Sequence, residues 1–318
     1  MFPSPIHAAN TNLTASPASL QTSTPLQPAS IPPLTTAPAP TPLSQPGEPS
    51  GKIVFTCQVR GVTFDQICII RVDGSGWLQL TDNEAENSFP SLSPDGGTVI
   101  YDSDVSGKSQ IYQVSASGGS PVRIAADVTG HLYAPEISPD GSRVVFTVLD
   151  KNVQTIWLMN RDGTNPQRIS PGDGWDPTWS PDGTKILFAS TLDAGPQLFT
   201  MNLDGSGLTQ VSNLPLFHGR SDWSPDSNWI STYAGNFGNH SLYFMHPDGS
   251  GLFSYHYKPT SAAPAFSPDG QWIAFTGYLN DKNYETGCEI YIARIDQLDK
   301  PRRITNNGYC DYQPRWGP

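Results

Sequence analysis

The sequence is poor in cations and in long apolar runs, and each shortage excludes a class of protein. Lys and Arg number 18 against 29 Asp and Glu, which gives a formal net charge of −11. Because a surface of that sign repels a phosphate backbone, we expect no nucleic-acid partner. No stretch approaches the roughly 18 consecutive apolar residues of a membrane helix, so we expect no direct membrane insertion. The first residues also lack the basic start and apolar core of an export signal.

Residues 1–50 are nearly devoid of charge and rich in residues that break regular structure. They hold 12 of the 31 prolines together with many Ser, Thr, Ala and Gln, and Glu48 carries their single formal charge. Such a composition cannot bury enough apolar surface to order a chain. We interpret residues 1–50 as a semi-extended spacer that tethers a surface or periplasmic domain, and a plain flexible tail is the alternative.

Beyond the spacer, a Ser-Pro-Asp-Gly turn recurs at nearly fixed intervals of 45, 42, 44, 43 and 50 residues. Its proline lies at Pro94, Pro139, Pro181, Pro225, Pro268 and Pro318. A period in this range indicates a repeat architecture. In each unit the turn is followed by a second strand with an apolar run such as Ile186-Leu187-Phe188 and then by a third strand. A second turn, commonly with an Asp-Gly pair, connects the third strand to a fourth. Four antiparallel strands in about 44 residues are typical of a β-propeller blade.

The two ends of the repeat region are each incomplete. Residues 51–81 contain the second, third and fourth strands of a blade, whereas residues 313–317 provide a first strand with nothing after it. Joined, they make one blade. The sequence therefore predicts an all-β fold, a single six-bladed β-propeller over residues 51–318 whose ring is closed by pairing of the C-terminal strand with the N-terminal blade.

Two stretches, PTWSPDGTKILFAS and PAFSPDGQWIAFTG, resemble the propeller repeats of TolB-like proteins, which also occur in the propeller halves of prolyl oligopeptidase-type and tricorn-type peptidases. The resemblance covers residues 51–318. It departs from the pattern at Asp226-Ser227, where the glycine is lost, and at the SASGGS turn of residues 115–120, which has no Asp-Gly pair. The resemblance implies protein binding outside the cytoplasm more often than catalysis, although one fold hosts many activities.

The four cysteines lie in pairs near the two ends of the propeller. Cys57 and Cys68 flank one hairpin, and Cys288 and Cys310 lie at the start of a third strand and in the loop after that blade. Local pairing of 57 with 68 and of 288 with 310 is geometrically sensible, although four cysteines allow three connectivities. Disulfides would indicate an oxidising compartment, and buried free thiols are the alternative.

Strand direction divides the loops between two faces of the ring. Both types of Asp turn lie on one face, here the turn face, whereas the second-to-third-strand loops and the interblade loops lie on the opposite loop face. The loop face carries unrepeated residues of the types that are enriched where partners dock. The candidates are His131, Trp175, His218, Arg220, His240, His256 and Tyr278. The alternative is that long loops need such residues to pack on themselves.

Three charged residues lie on predicted innermost strands and are expected to reach the central channel. Glu136, Asp222 and Arg315 would hold a ligand or a cation there, or, as the alternative, form an internal salt bridge or a solvated rim. The histidines lie in separate loops without short metal-ligand spacing, so we expect no metal and no cofactor.

A catalytic role finds little support in the sequence. No Gly-x-Ser-x-Gly motif occurs, and nothing selects a catalytic pair among the loop carboxylates, which are Asp173, Asp176, Asp281, Glu285 and Asp311. We therefore expect a monomeric, non-catalytic binding or scaffold propeller outside the cytoplasm, with a protein or peptide as partner and a glycan as the alternative ligand. A carbohydrate-active or peptidase-type enzyme and a ligand-sensing ectodomain of a longer receptor are the alternative functions.

Overall fold

The computed structural model describes residues 47–124, 127–193, 195–236, 238–258, 260–278 and 287–318, and within these ranges it contains strands and no helix. The 24 strands form six four-stranded antiparallel sheets. This confirms the predicted six-bladed propeller. Because the described ranges contain strands only, they offer no long apolar helix that could cross a bilayer. The spacer predicted for residues 1–50 lies outside the described residues up to residue 46.

Each blade contributes one strand to each of four concentric layers. The innermost strands of blades 1 to 6 are β24 (Asp311–Gly317), β4 (Asn87–Leu92), β8 (His131–Ile137), β12 (Trp175–Trp179), β16 (Phe217–Trp223) and β20 (Thr260–Phe266). The second strands are β1 (Lys52–Cys57), β5 (Thr98–Ser103), β9 (Arg143–Asp150), β13 (Lys185–Asp193), β17 (Ile230–Asn236) and β21 (Trp272–Tyr278). The third strands are β2 (Gln66–Arg71), β6 (Gln110–Ser115), β10 (Val153–Asn160), β14 (Gly195–Asn202), β18 (Asn239–Met245) and β22 (Cys288–Arg294). The outermost strands are β3 (Leu78–Gln79), β7 (Val122–Arg123), β11 (Gln167–Arg168), β15 (Thr209–Gln210), β19 (Phe253–Tyr255) and β23 (Gln297–Arg303).

The hydrophobic core lies between neighbouring blades. The second strands are apolar on both faces because each sheet is packed against a blade on either side. One cluster, for example, joins Ile53 and Phe55 of blade 1 to Ala274 and Ile290 of blade 6. The aromatic residue of the second strand is fully buried in five blades, at Phe55, Tyr101, Phe146, Phe188 and Phe275.

The Ser-Pro-Asp-Gly turn between the first and second strands is held by a repeated set of hydrogen bonds. In blade 4 the Ser180 hydroxyl donates to Asp182 Oδ1 (2.6 Å) and accepts from the Lys185 N–H (2.9 Å). The same carboxylate oxygen accepts from the Thr184 N–H (3.0 Å). Blade 5 keeps this turn despite the loss of glycine, and Ser227 there adopts a left-handed φ of 62°. The motif is thus part of the scaffold.

The ring closes by pairing of β24 with β1, as the sequence predicts. Ile53 lies opposite Trp316 and Val54 opposite Arg315 in the antiparallel register. The Trp316 indole is buried in the cluster between blades 1 and 6, and its Nε1–H donates to the Ser50 carbonyl (2.8 Å).

Two disulfides lie on either side of this closure, and they have the local pairing that the sequence favours. Cys57–Cys68 joins β1 to β2. Cys288–Cys310 joins β22 to the loop that leads into β24. All four cysteines are buried. The second disulfide therefore fixes the segment from which the closing strand begins.

Candidate functional site

Every innermost strand contains a β-bulge at the same place, five residues before the turn proline. The non-glycine residue at the bulge has a left-handed φ in all six blades: Phe89, Ala134, Asp176, Arg220, Ala263 and Gln313, with φ between 35° and 55°. The strand pairing shifts register at each of these points. A left-handed conformation is costly for a residue with a side chain, so six in register indicate that the ring enforces it.

The enforcing contacts are hydrogen bonds from one blade to the next. The N–H of the bulge residue donates to a polar side chain of the preceding blade in most of the ring. Asp102 accepts from Ala134 (3.1 Å), Asp176 from Arg220 (3.1 Å), and Gln313 from Phe89 (3.1 Å). Thr147 and Thr276 accept in the same way from Asp176 and Gln313. The bulges therefore stitch neighbouring blades together around the channel.

Arg220 lies inside the channel and spans it. Its side chain is 5% exposed, and one Nη donates to the carbonyls of Pro90 (3.1 Å) in blade 2 and Gln313 (3.4 Å) in blade 1. The guanidinium also lies 5.3 Å from the centre of the Phe89 ring. Sequence position places Arg220 among the loop-face candidates. It belongs to the channel instead, because β16 begins at Phe217 and carries Arg220 into the ring.

Arg315 crosses the channel in a second layer, two residues nearer the turn face. It is 8% exposed and donates to the carbonyl of Ser221 (3.0 Å) in blade 5, with a longer contact to the Pro264 carbonyl (3.5 Å) in blade 6. Its Nη lies 3.7 Å from Glu136 Oε2 in blade 3. Arg315 thus lies in the channel and forms the internal salt bridge that was the alternative to a ligand-binding role, and that role stays a prediction.

Glu136 and Asp222 each join one blade to the next. Glu136 Oε1 accepts from the Thr178 hydroxyl (2.9 Å) and the Trp179 N–H (3.0 Å) of blade 4. Asp222 Oδ2 accepts from the Phe266 N–H (2.7 Å) of blade 6, and its Oδ1 accepts from the Trp223 N–H (3.0 Å). The two carboxylates occupy the same position of the repeat, so they serve as equivalent ties between blades.

Burial controls the charge state of the channel residues. Removal from water raises the pKa of Asp222 to about 6, and the charge of Arg315 opposes that rise. Desolvation also raises the pKa of Asp176, against the opposing charge of Arg220. The pKa of Arg220 falls to about 9, first through desolvation and then through repulsion by Arg315. The carboxylates of Glu136 and Asp176 and the guanidinium groups of Arg220 and Arg315 line the same small cavity of the channel.

On the loop face, three predicted residues of blades 4 and 5 lie in one region, and they are Trp175, His218 and His240. Gly219 packs so closely on blade 4 that a Cβ there would lie 2.6 Å from Asp176 Oδ2 and 3.1 Å from Trp175 Nε1. Next to it, His218 stacks on Tyr233 at 5.7 Å and meets the edge of His240 at 4.7 Å. His240 is buried, and desolvation followed by the charge of His218 lowers its pKa to about 4.

Tyr233 belongs to this cluster but is not among the residues predicted from the sequence. It occupies the strand position held by Thr56, Asp102, Thr147, Ala189 and Thr276 in the other blades. The signal was present as a break in the repeat, since blade 5 has Thr232 where other blades have their aromatic residue. Desolvation raises the pKa of the Tyr233 phenol.

The remaining loop-face candidates are dispersed. His131 is exposed in blade 3 and stacks on Tyr133 at 6.0 Å. His256 is exposed beyond β19, where its Nδ1 lies 3.1 Å from the Ser241 hydroxyl, far along the blade from the channel strand. Tyr278 is buried against Ala262, Tyr312 and the Cys288–Cys310 disulfide. Tyr278 thus adjoins the His218 cluster through Tyr233, which packs against the same buried residues, whereas His131 and His256 lie apart from it.

The loop carboxylates that the structure describes are engaged in local contacts. Asp173 accepts from the Thr191 N–H (2.9 Å) and from the hydroxyls of Thr191 (2.8 Å) and Ser190 (3.1 Å). Asp311 Oδ2 accepts from the Asn307 amide (2.8 Å), and burial raises the Asp311 pKa to about 7. Asp281 and Glu285 lie outside the described residues. Within the described ranges, no group of three or more metal-ligating side chains occurs.

Part of the repeat region matches a known family model and two curated proteins. Residues 122–253 match the family model described as the TolB beta propeller domain. An uncharacterised protein of Agrobacterium fabrum is 32% identical over 129 residues, which are 38% of this chain and 43% of that protein. A TolB homolog of Chlorobaculum tepidum is 27% identical over 123 residues, which are 39% of this chain and 27% of that protein. The matches thus span less than half the length of either curated relative.

The fold itself has close counterparts among solved structures. TolB from Acinetobacter baumannii superposes with a TM-score of 0.72 at 22% identity, over 86% of this chain and 68% of that chain. Identity at this level shows a shared fold and no more. The Ser-Pro-Asp turns and the family model over residues 122–253 show TolB-like propeller repeats in that part of the chain, and the six-bladed ring has the same fold as the TolB structure.

Proposed function

We propose that this propeller is a non-catalytic binding protein that works outside the cytoplasm and recruits a protein or peptide through its loop face. The observation that carries the proposal is a set of exposed aliphatic side chains at the loop-face ends of blades 2 to 5. They are Val105 (50% exposed), Val153 (51%), Leu192 (41%) and Leu216 (57%). Val105 lies in the β5–β6 loop and Leu216 in the loop from blade 4 to blade 5, whereas Val153 begins β10 and Leu192 lies next to the end of β13.

Exposed aliphatic residues gathered on one face favour burial against a partner. Leu216 lies two residues before His218, which stacks on Tyr233, and tyrosine is one of the residue types that commonly anchor interfaces. The channel charges support a scaffold role, since the carboxylates of Glu136 and Asp222 accept hydrogen bonds from neighbouring blades. A carbohydrate-active or peptidase-type function gains no support from the loop carboxylates Asp173 and Asp311, which accept hydrogen bonds from neighbouring residues.

Two observations support the location. The Cys57–Cys68 and Cys288–Cys310 disulfides are typical of an oxidising compartment. The Pro-rich, nearly uncharged composition of residues 1–50 fits a tether that holds the propeller away from an envelope surface.

The proposal is tested by paired variants that differ only in the face they alter. Leu192→Ser combined with Leu216→Ser removes two exposed leucines from the loop face, and Leu208→Ser removes one of similar exposure (40%) from the turn face. On arrays of random dodecapeptides and of glycans, we expect wild type and Leu208→Ser to bind the same peptides. The double variant should bind about tenfold or more weakly, because burial of each leucine contributes about 1 kcal/mol or more. Equal binding by all three proteins, or a response confined to glycans, would contradict the proposed function.

A further inference from the structure

On the turn face, a residue at one repeat position lies at the boundary between each blade and the blade before it. This residue directly precedes the turn that links the third strand to the fourth. In successive blades it is Val72, Ala116, Arg161, Leu203, Pro247 and Ile295. The backbone is alike where it can be compared: the N–H of Ala116, Arg161 and Ile295 donates to Gly97, Ser142 and Gln271, three residues after the turn proline.

Large side chains at this position pack on the preceding blade. Val72 belongs to a cluster with Ile290 and Ile292 of blade 6, and Ile295 to one with Leu242 and Phe244 of blade 5. Leu203 packs against a cluster that contains Ile156 and Ile169 of blade 3. Arg161 of blade 3 is near Asp95 of blade 2, whose pKa is lowered mainly by hydrogen bonds from Ser93 and Gly97 and to a smaller extent by the charge of Arg161.

Blade 2 is the exception, because it has alanine at this position. Ala116 faces Ile69 and Leu80 of blade 1. A groove of about 430 Å³ opens there between blades 1 and 2. Its volume lies within the range of roughly 300–1,000 Å³ that ligand sites occupy. The SASGGS segment, which departs from the repeat, thus places alanine where other blades have a larger side chain, and the groove lies at that position.

The groove carries two cations in a protein of net charge −11. Lys52 and Arg71 line it, together with Leu78 and Ser117. Arg71 lies against Gly76, where a Cβ would come within 2.6 Å of its Nη1. Among the ion pairs of the described residues, none involves Lys52 or Arg71. The nearest carboxylate in sequence, Asp73, is exposed and accepts hydrogen bonds from Ser75, which lower its pKa, and the charge of Arg71 adds a smaller effect without forming an ion pair.

We propose that this groove docks an acidic peptide segment of a protein partner, which inserts one aliphatic side chain over Ala116 and sets carboxylates against Lys52 and Arg71. The aliphatic side chain would supply what Val72, Leu203 and Ile295 supply in other blades. Leu78 (37% exposed) and Trp77 (47% exposed) extend the apolar surface at the outer end of the groove. Charge complementarity selects an acidic segment, because the rest of the surface repels it. This site lies on the face opposite to the one proposed above.

Titration calorimetry of the full chain with three acetylated and amidated pentapeptides tests this inference. The probes are Glu-Glu-Leu-Glu-Glu, Glu-Glu-Ala-Glu-Glu and Lys-Lys-Leu-Lys-Lys. We expect the first to bind, the alanine peptide to bind about tenfold more weakly, and the basic peptide to give no heat, since loss of one buried leucine side chain costs about 1.5 kcal/mol or more. Absence of binding by the first peptide up to millimolar concentration overturns the proposal, as does equal binding of the acidic and basic peptides.

Variants locate the binding. Ala116→Leu fills the groove with the residue found at this position in blade 4 and should abolish binding, and Arg71→Gln should weaken it about five- to tenfold through loss of one charge pair. The matched control is Lys185→Gln, since Lys185 is the counterpart of Lys52 in blade 4, where Leu203 fills the groove and Asn202 pairs with the lysine (3.1 Å). The control should bind like wild type. Unchanged affinity in a folded Arg71→Gln variant overturns the assignment even if Ala116→Leu fails to fold.

Discussion

Arg315 offers a direct test of the idea that the channel charges hold the blades together. Replacement by Met keeps the length and apolar stem of the side chain but removes the guanidinium. The variant loses the hydrogen bond to the Ser221 carbonyl (3.0 Å), the marginal contact to Pro264 (3.5 Å) and the ion pair with Glu136 (3.7 Å). A hydrogen bond from a charged donor contributes about 1.5–3 kcal/mol, and a buried charge left without its partner brings the total cost to about 3–5 kcal/mol.

That cost converts into a measurable shift of the melting temperature. With an unfolding entropy of about 2 cal/mol/K per residue, a domain of about 270 residues loses about 2 °C per kcal/mol, so Arg315→Met should melt about 5–9 °C lower. Thermal unfolding by calorimetry or circular dichroism measures this. Arg60→Met is the control, because Arg60 is exposed in the β1–β2 loop and its replacement should change stability by about 0.5 kcal/mol or less.

A double-mutant cycle separates the ion pair from the other contacts. Glu136→Gln keeps an acceptor for Thr178 and Trp179 but has no charge for Arg315. If the two charges act on each other, Arg315→Met should cost about 1 kcal/mol less in the Glu136→Gln variant than in wild type. An Arg315→Met variant that melts within 1 °C of wild type would refute the reasoning about the channel.

Two further predictions concern a buried carboxyl and a strained turn. Desolvation raises the pKa of Asp102 to about 7, so the folded state holds more protons than the unfolded chain between about pH 4 and pH 7, and stability falls as pH rises through that window by up to about 4 kcal/mol. The stability of Asp102→Asn relative to wild type should therefore be greater at pH 8 than at pH 5, as measured by urea unfolding at both pH values. Parallel curves of stability against pH for the two proteins would contradict this. Ser227 has a left-handed φ of 62° where blade 4 has Gly183 at 69°. Ser227→Gly should raise the free energy of unfolding by about 1 kcal/mol and Gly183→Ser should lower it by a similar amount, whereas two changes of the same sign would show that turn strain is not the cause.

The number of blades, the strand order and the closure of the ring follow from the sequence because they depend on spacing alone. Each Ser-Pro-Asp turn is a local structure with its own hydrogen bonds, and its recurrence counts the blades without knowledge of any distant contact. The disulfide pairs follow for the same reason, since Cys57 and Cys68 flank one hairpin. The location of Arg315 also follows, because it lies three residues before the proline, on the regular part of β24.

The rest of the channel could not be predicted because the bulges interrupt the alternation of strand faces. Asp176 and Arg220 lie at the bulge itself, so counting by twos from the turn assigns them to the wrong direction. The left-handed residue five positions before the turn proline is not glycine in any of the six blades, and only blade 5 has a glycine of positive φ, Gly219, next to it. The burial of His240 and Tyr278 could not be predicted for a related reason. The exposure of a side chain depends on how neighbouring blades pack, and the sequence of a single strand does not contain that information.

The pairing of β24 with β1 imposes an order on the appearance of the ring during synthesis. The second, third and outermost strands of blade 1 emerge first, but their innermost strand follows about 230 residues later. At about 5–20 residues per second, that interval is on the order of 10–50 s. Throughout it, Ile53 and Val54 have no partner on the channel side, although both become fully buried in the finished fold. Until the closing strand has left the ribosome, this apolar surface stays exposed, and exposed apolar surface on incompletely folded chains is what chaperones protect.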